Sequence, residues 1–257
     1  MKSEKIIFKN GKNQELSGRL YIPEKEGSKC VIFSHGLFSS RDGYKITRLA
    51  GDIVSEGFFL LAFDFSFSGE SGSNIADISI RQEVDDLGSA VAFMRSAGAD
   101  DIHLMGSSMG AAVTILYASE CASRLSSLIS IAAPMDLAGI SRGAGIEDPG
   151  SLPPEGTACI DGIRLKNAFF REIMNIDMKA AAARIACSVL IIQGALDSIV
   201  DARNAEILEK SLKRGSRKFI IDDGDHNLSR DEDIISLSGE ITSWLKTNAG
   251  LVRNRGI

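Results

Sequence analysis

The sequence predicts an α/β fold, a mostly parallel β-sheet with helices on both faces. Three observations point to it. Short apolar runs recur along the 257 residues, helix-length segments stand between them, and the two kinds alternate over most of the chain. A run that is apolar at successive positions suits a strand buried on both faces. Strand then helix, repeated, is how a parallel sheet is built, because parallel neighbours need a crossover.

The first strand signal is Glu15–Ile22, which alternates and stops at Pro23. Continuous apolar runs follow at Cys30-Val31-Ile32-Phe33, Leu60-Leu61-Ala62-Phe63, Ile102-His103-Leu104-Met105, Leu128-Ile129-Ser130-Ile131, Val189-Leu190-Ile191-Ile192 and Lys218-Phe219-Ile220-Ile221. Helical segments are expected at 44–56, 80–97, 109–119, 202–212 and 232–247. In the second, Val84, Leu87, Val91 and Met94 fall on one face of a helix.

Between 134 and 186 the rhythm breaks and no strand is evident. That stretch holds Pro134, Pro149, Pro153 and Pro154, and six glycines between Gly139 and Gly162. Long irregular insertions in compact domains are often lids or binding loops. Its second half reads as helix, with Phe170, Met174 and Met178 at i, i+4 and i+8. Such a stripe either packs on the core or walls a substrate pocket.

Bulk properties narrow the function. A chain of this length with 44% hydrophobic residues is expected to fold as one domain over 1–257. Its net charge of −5 and its lack of a clustered basic patch argue against nucleic acid. The apolar run Ile6-Ile7-Phe8 is shorter than the roughly 7–15 residues of a signal-peptide core. No stretch approaches the roughly 18–20 apolar residues of a membrane helix, so a soluble, cytoplasmic protein is expected. Cys30, Cys121, Cys159 and Cys187 are scattered, with no zinc spacing, and read as free thiols. No metal or cofactor motif is visible, so no cofactor is expected. Nothing in the sequence specifies an oligomeric state.

Gly106-Ser107-Ser108-Met109-Gly110 fits G-x-S-x-G between a strand signal and a helix signal. That context makes Ser108 the candidate nucleophile, presented on a sharp strand-to-helix turn. A serine hydroxyl needs a base to take its proton. Only His35, His103 and His226 exist, and on such a fold the order is nucleophile, acid, histidine. His226 alone satisfies that order. Asp197, in the loop after the fifth continuous run, is the candidate acid that would orient it. Asp222, Asp223 and Asp225 read as solvated loop acids, and Asp201 as a helix cap. His35 reads as a loop brace and His103 as a packed or surface side chain. An oxyanion hole would use the N–H of Met109 and one from the loop Ser34–Ser40, where Gly36 permits close approach. Phe38, Phe67, Phe169, Phe170 and Met174 are either an apolar acyl pocket or core.

With His35-Gly36, Gly106-x-Ser108-x-Gly110, Gly194-x-x-Asp197 and Gly224-Asp225-His226 in place, the chain resembles the α/β-hydrolase superfamily over nearly its whole length. Within it, length, cap size and the spacing of the three residues are similar to those of small bacterial feruloyl and cinnamoyl esterases. The resemblance implies an eight-stranded, mostly parallel sheet with a cap inserted after the sixth strand, where 134–186 falls. It also implies that the residue after the His-Gly pair, here Leu37, supplies an oxyanion N–H. Many relatives carry D-x-R-G-x-G-x-S after the fourth strand. Here that stretch reads Asp64-Phe65-Ser66-Phe67-Ser68-Gly69-Glu70-Ser71, without the arginine and the first glycine.

The expected activity is hydrolysis of a small-molecule carboxylic ester, of an aromatic or medium-size acyl group, through an acyl-enzyme. An amidase, peptidase, thioesterase or acyltransferase would use the same three residues. A non-catalytic binding protein on the same scaffold would usually lack one of them.

Overall fold

A computed structural model describes residues 1–250 apart from 26, 73 and 122–124. Among the described residues the main sheet has eight strands, in the order β1-β2-β4-β3-β5-β6-β9-β10. They are β1 (Lys2–Lys9), β2 (Glu15–Ile22), β3 (Lys29–Ser34), β4 (Phe59–Phe63), β5 (Asp101–Ser107), β6 (Ser127–Ile131), β9 (Ser188–Gly194) and β10 (Ser216–Ile221). The pair β1–β2 is antiparallel, and β2 joins β4 antiparallel. From β4 onward every pairing is parallel.

Helices cover both faces. On one face α1 (Tyr44–Ser55) and α8 (Asp231–Asn248) bury Ile46, Leu49, Ile53, Leu237, Ile241 and Leu245. On the other lie α2 (Ile80–Ser96), α3 (Met109–Glu120) and α7 (Arg203–Ser211). The predicted stripe Val84, Leu87, Val91 and Met94 is buried there. Each fully buried aliphatic side chain contributes about 1.5–3 kcal/mol, so burial against these two layers stabilises the sheet. No described helix is long and apolar enough to cross a membrane.

Two expectations need correction. The stretch 134–186 contains strands after all, β7 (Thr157–Ile160) and β8 (Ile163–Lys166), which pair only with each other. Four residues each, and mostly exposed or half-buried, they carry no apolar run. Nor is 170–178 one helix. α5 (Asn167–Ile173) stops before Asp177, whose carboxylate accepts the Ala180 N–H and starts α6 (Met178–Ala182) afresh. With α4 (Ala138–Gly143) these elements form the insertion between β6 and β9. It is tied to the body at α2. Glu172 of α5 accepts from the Ser79 hydroxyl and the N–H groups of Ile80 and Arg81. An acid at a helix start satisfies donors that the helix itself leaves open.

The strand order reverses beside β3: the chain passes from β3 to β4 on one side, then to β5 on the other. In open α/β sheets ligands bind at the carboxyl ends of the strands at such a switch point. Ser107 ends β5 there.

Candidate active site

Ser108 occupies the turn between β5 and α3 with φ 54° and ψ −122°. A non-glycine residue in this region costs about 1–3 kcal/mol and persists only where its surroundings enforce it. They do so here. The Ser108 N–H is held by Ile131 of β6 at 2.8 Å, and its carbonyl accepts from Ala111 and Ala112 of α3. The helix also presses against the end of β3. A Cβ at Gly110 would run into the carbonyls of Ser34 and His35, so only glycine permits this packing.

His226 sits in the loop between β10 and α8, its ring half-buried. Its Nε2 lies 3.1 Å from Ser108 Oγ, and its Nδ1 lies 2.8 Å from Asp197 Oδ2. Asp197 follows β9, with its side chain fully buried. The two loops meet at Gly194. There a Cβ would strike the carbonyls of Gly224 and Asp225, and Leu196 donates to Gly224 across the join. Asp197 Oδ1 accepts the N–H groups of Ile199 and Val200, and Oδ2 also accepts from Gln193. Burial pushes the Asp197 carboxyl up, but His226 and the two backbone donors outweigh it and hold the group below the usual carboxylate range. A carboxylate that stays charged fixes the proton of His226 on Nδ1, leaving the Nε2 lone pair for the serine proton.

His35 is buried. Its Nδ1 lies 2.8 Å from the Gly36 carbonyl, and its Nε2 accepts from the Phe65 N–H. Burial lowers its pKa, which agrees with a neutral ring donating from Nδ1. It braces the loop that carries Gly36 and Leu37. His103 is buried within β5 against Ser127. Asp222, Asp223 and Asp225 are exposed, and Asp225 caps the Leu228 N–H. Asp201 accepts the Arg203 N–H at the start of α7. Among the described residues, no protein acceptor takes the N–H of Leu37 or of Met109.

A cavity of about 580 Å³ opens onto Ser108 and His226. Gly36, Leu37, Ser39, Ser40, Tyr44, Lys45, Asn227 and Ser229 line it, over an apolar floor of Phe33 and Ile46. Phe38, Phe169, Phe170 and Met174 are not among its lining. Phe169 and Phe170 are buried in the core under the insertion, Met174 is exposed, and Phe38 is half-buried with φ 59°.

Three residues near the site escaped the sequence reading. Gln193 closes the apolar run of β9 with a buried amide, and a polar residue ending a buried strand was its one signal. Lys45 in the first turn of α1 donates to Ser107 Oγ at 3.0 Å. Arg41 is buried against Asp64 and also reaches Glu70. The guanidinium on Asp64 comes from the loop after β3.

The fold matches solved structures over nearly their full length. Est1E from Butyrivibrio proteoclasticus, solved with ferulic acid bound, superposes with a TM-score of 0.86 at 19% identity, over 95% of this chain and 98% of that one. The chain has the α/β-hydrolase fold. The esterase domain of a Rhodothermus marinus protein matches this chain with a TM-score of 0.75 at 21% identity, covering 96% and 99%. A Pyrococcus furiosus esterase matches it with 0.74 at 21%, covering 97% and 92%. The family model described as serine aminopeptidase, S33, matches residues 25–144 of the chain, which include Ser108 but neither Asp197 nor His226. No curated protein sequence matches the chain.

Proposed function

We propose that this α/β-hydrolase cleaves carboxylic esters of small molecules through an acyl-enzyme on Ser108. The observation that carries the reading is the chain from Ser108 Oγ through His226 to the buried Asp197, at 3.1 and 2.8 Å. Ser108 Oγ attacks the acyl carbon while His226 Nε2 takes its proton. The N–H groups of Leu37 and Met109 receive the oxyanion, and neither has a protein acceptor. His226 then gives the proton to the alcohol oxygen as the ester C–O bond breaks. A water next gives a proton to Nε2 and its oxygen to the acyl carbon. The acid leaves as Ser108 Oγ regains that proton. Asp197 stays ionised throughout and stabilises the imidazolium.

Fluorophosphonate labelling tests the reading. Wild type is expected to label at one serine and Ser108→Ala not at all. Equal labelling of the two proteins would overturn it. The cavity volume supports an acyl or alcohol group of medium size. Cys30, Cys121 and Cys159 are free thiols, which supports a reducing compartment, the cytoplasm.

The aminopeptidase family model favours a second reading, cleavage of aminoacyl amides by the same three residues. A matched panel of phenyl esters and aminoacyl anilides separates the two. Faster turnover of the anilides would select the second.

A further inference from the structure

Lys45 is the one lysine or arginine among the described residues lining the cavity over Ser108. It stands second in α1, and its Nζ reaches Ser107, the neighbour of the nucleophile. An ammonium has three donors, and the Ser107 hydroxyl takes one. Three carboxylates pull on its charge, Asp197, Asp225 and Asp233, yet each is engaged elsewhere. Asp197 holds His226 and Gln193, Asp225 holds the Leu228 N–H, and Asp233 pairs with Arg230. No described carboxylate pairs directly with Lys45. A cation in a partly buried site without a counter-ion is costly, and a ligand anion relieves that cost.

We propose that Lys45 receives a carboxylate carried by the ester itself, so that the site selects esters of acidic molecules over their neutral analogues. The hydroxyls of Ser39 and Ser229 and the amide of Asn227 line the same cavity and add donors for that group. The cleavage step rests on the function proposed above. The recognition step does not.

Binding to Ser108→Ala protein therefore tests it without turnover. Two matched pairs place the carboxylate on either side of the scissile bond. 4-Acetoxybenzoate against 4-acetoxybenzamide puts it on the alcohol side, and phenyl hemisuccinate against phenyl succinamate puts it on the acyl side. In at least one pair the anion is expected to bind about 10–100-fold tighter. Adding Lys45→Met should bring that ratio near one, and Lys45→Arg should keep it above one. Equal binding within both pairs, or a preference that survives Lys45→Met, overturns the inference.

The pH dependence gives a readout that needs no Lys45 variant. Burial pushes the Lys45 ammonium down to about 8, against the pull of the three carboxylates. The other titratable and charged groups around it are Tyr44 of α1, His226, Asp225, Asp197, and Asp233 with Arg230. The charge on Lys45 is present below that value, so the preference should be full near pH 6.5 and should vanish as pH rises past about 9. A preference flat to pH 10 also overturns the inference. If wild type hydrolyses none of the four compounds while the Lys45-dependent preference holds, ester cleavage fails and the recognition stands.

Discussion

Gln193 and His226 share one oxygen of Asp197. The amide nitrogen of Gln193 approaches Oδ2 at 2.9 Å, and the ring nitrogen of His226 approaches it at 2.8 Å. The same amide also bonds the Val200 carbonyl, so one side chain fixes both the carboxylate and the loop that follows it. Hydrogen bonds to a charged group are each worth about 1.5–3 kcal/mol. Gln193→Leu should lower kcat about 10–100-fold with the fold intact, as checked by steady-state kinetics beside circular dichroism. An unchanged kcat would show that Asp197 needs no help from Gln193.

Asp197→Asn keeps the shape of the acid and removes its charge. The amide can donate to His226 Nδ1, which moves the ring proton to Nε2, where the serine proton must go. A drop in kcat of about 10⁴ is expected, with little change in KM. The Nδ1–H proton resonance expected far downfield in wild type should be lost in the variant. Retained turnover would remove Asp197 from the mechanism.

Far from the site, Asp101 links the start of β5 to the end of α8. Its carboxylate bonds the Ser126 hydroxyl and the Gly250 N–H, with the His103 ring 3.3 Å away. Burial pushes its pKa up, but these partners outweigh it and hold the group at about 2. A folded-state pKa below the unfolded one stabilises the fold above pH ~3.9, and that contribution is lost as pH falls towards 2. It amounts to about 2 kcal/mol. Urea unfolding should show wild type more stable than Asp101→Asn at pH 6, with the gap closing near pH 2. A gap equal at both values would refute the linkage.

Gly110→Ala places a methyl group against the carbonyls of Ser34 and His35. Overpacking of this kind costs about 1–3 kcal/mol, and backbone neighbours have little room to yield. The midpoint of thermal unfolding should fall by about 5–10 °C, measured by differential scanning calorimetry. An unchanged midpoint would show that α3 can move away from β3 freely.

The candidate site was legible where chemistry and scarcity coincide, in the three residues that the fold brings together. Three histidines leave one in the right order, and a buried strand ahead of Asp197 marks its loop. The parallel sheet was legible because strands buried on both faces are apolar at every step. β1 escaped because it is an edge strand with only Phe8 fully buried, and its neighbour β2 holds it by backbone hydrogen bonds that leave no pattern. The β7–β8 hairpin escaped for the same reason. Lys45 and Arg41 could not be placed, because each acts across the fold on a residue distant in sequence. Phe169 and Phe170 show the limit of composition: an aromatic pair suits a pocket and a core equally, and packing decides.

Ser108 and His226 lie 118 residues apart, and His226 follows β10, the edge strand that pairs only with β9. During synthesis the turn that strains Ser108 can form long before its base leaves the ribosome. On the proposed mechanism the newborn chain carries an inert alcohol, which gains a proton acceptor only when the last strand docks. Fraying of that same edge would disarm the serine first, so lost reactivity would report the opening of β10 before the rest of the sheet yields.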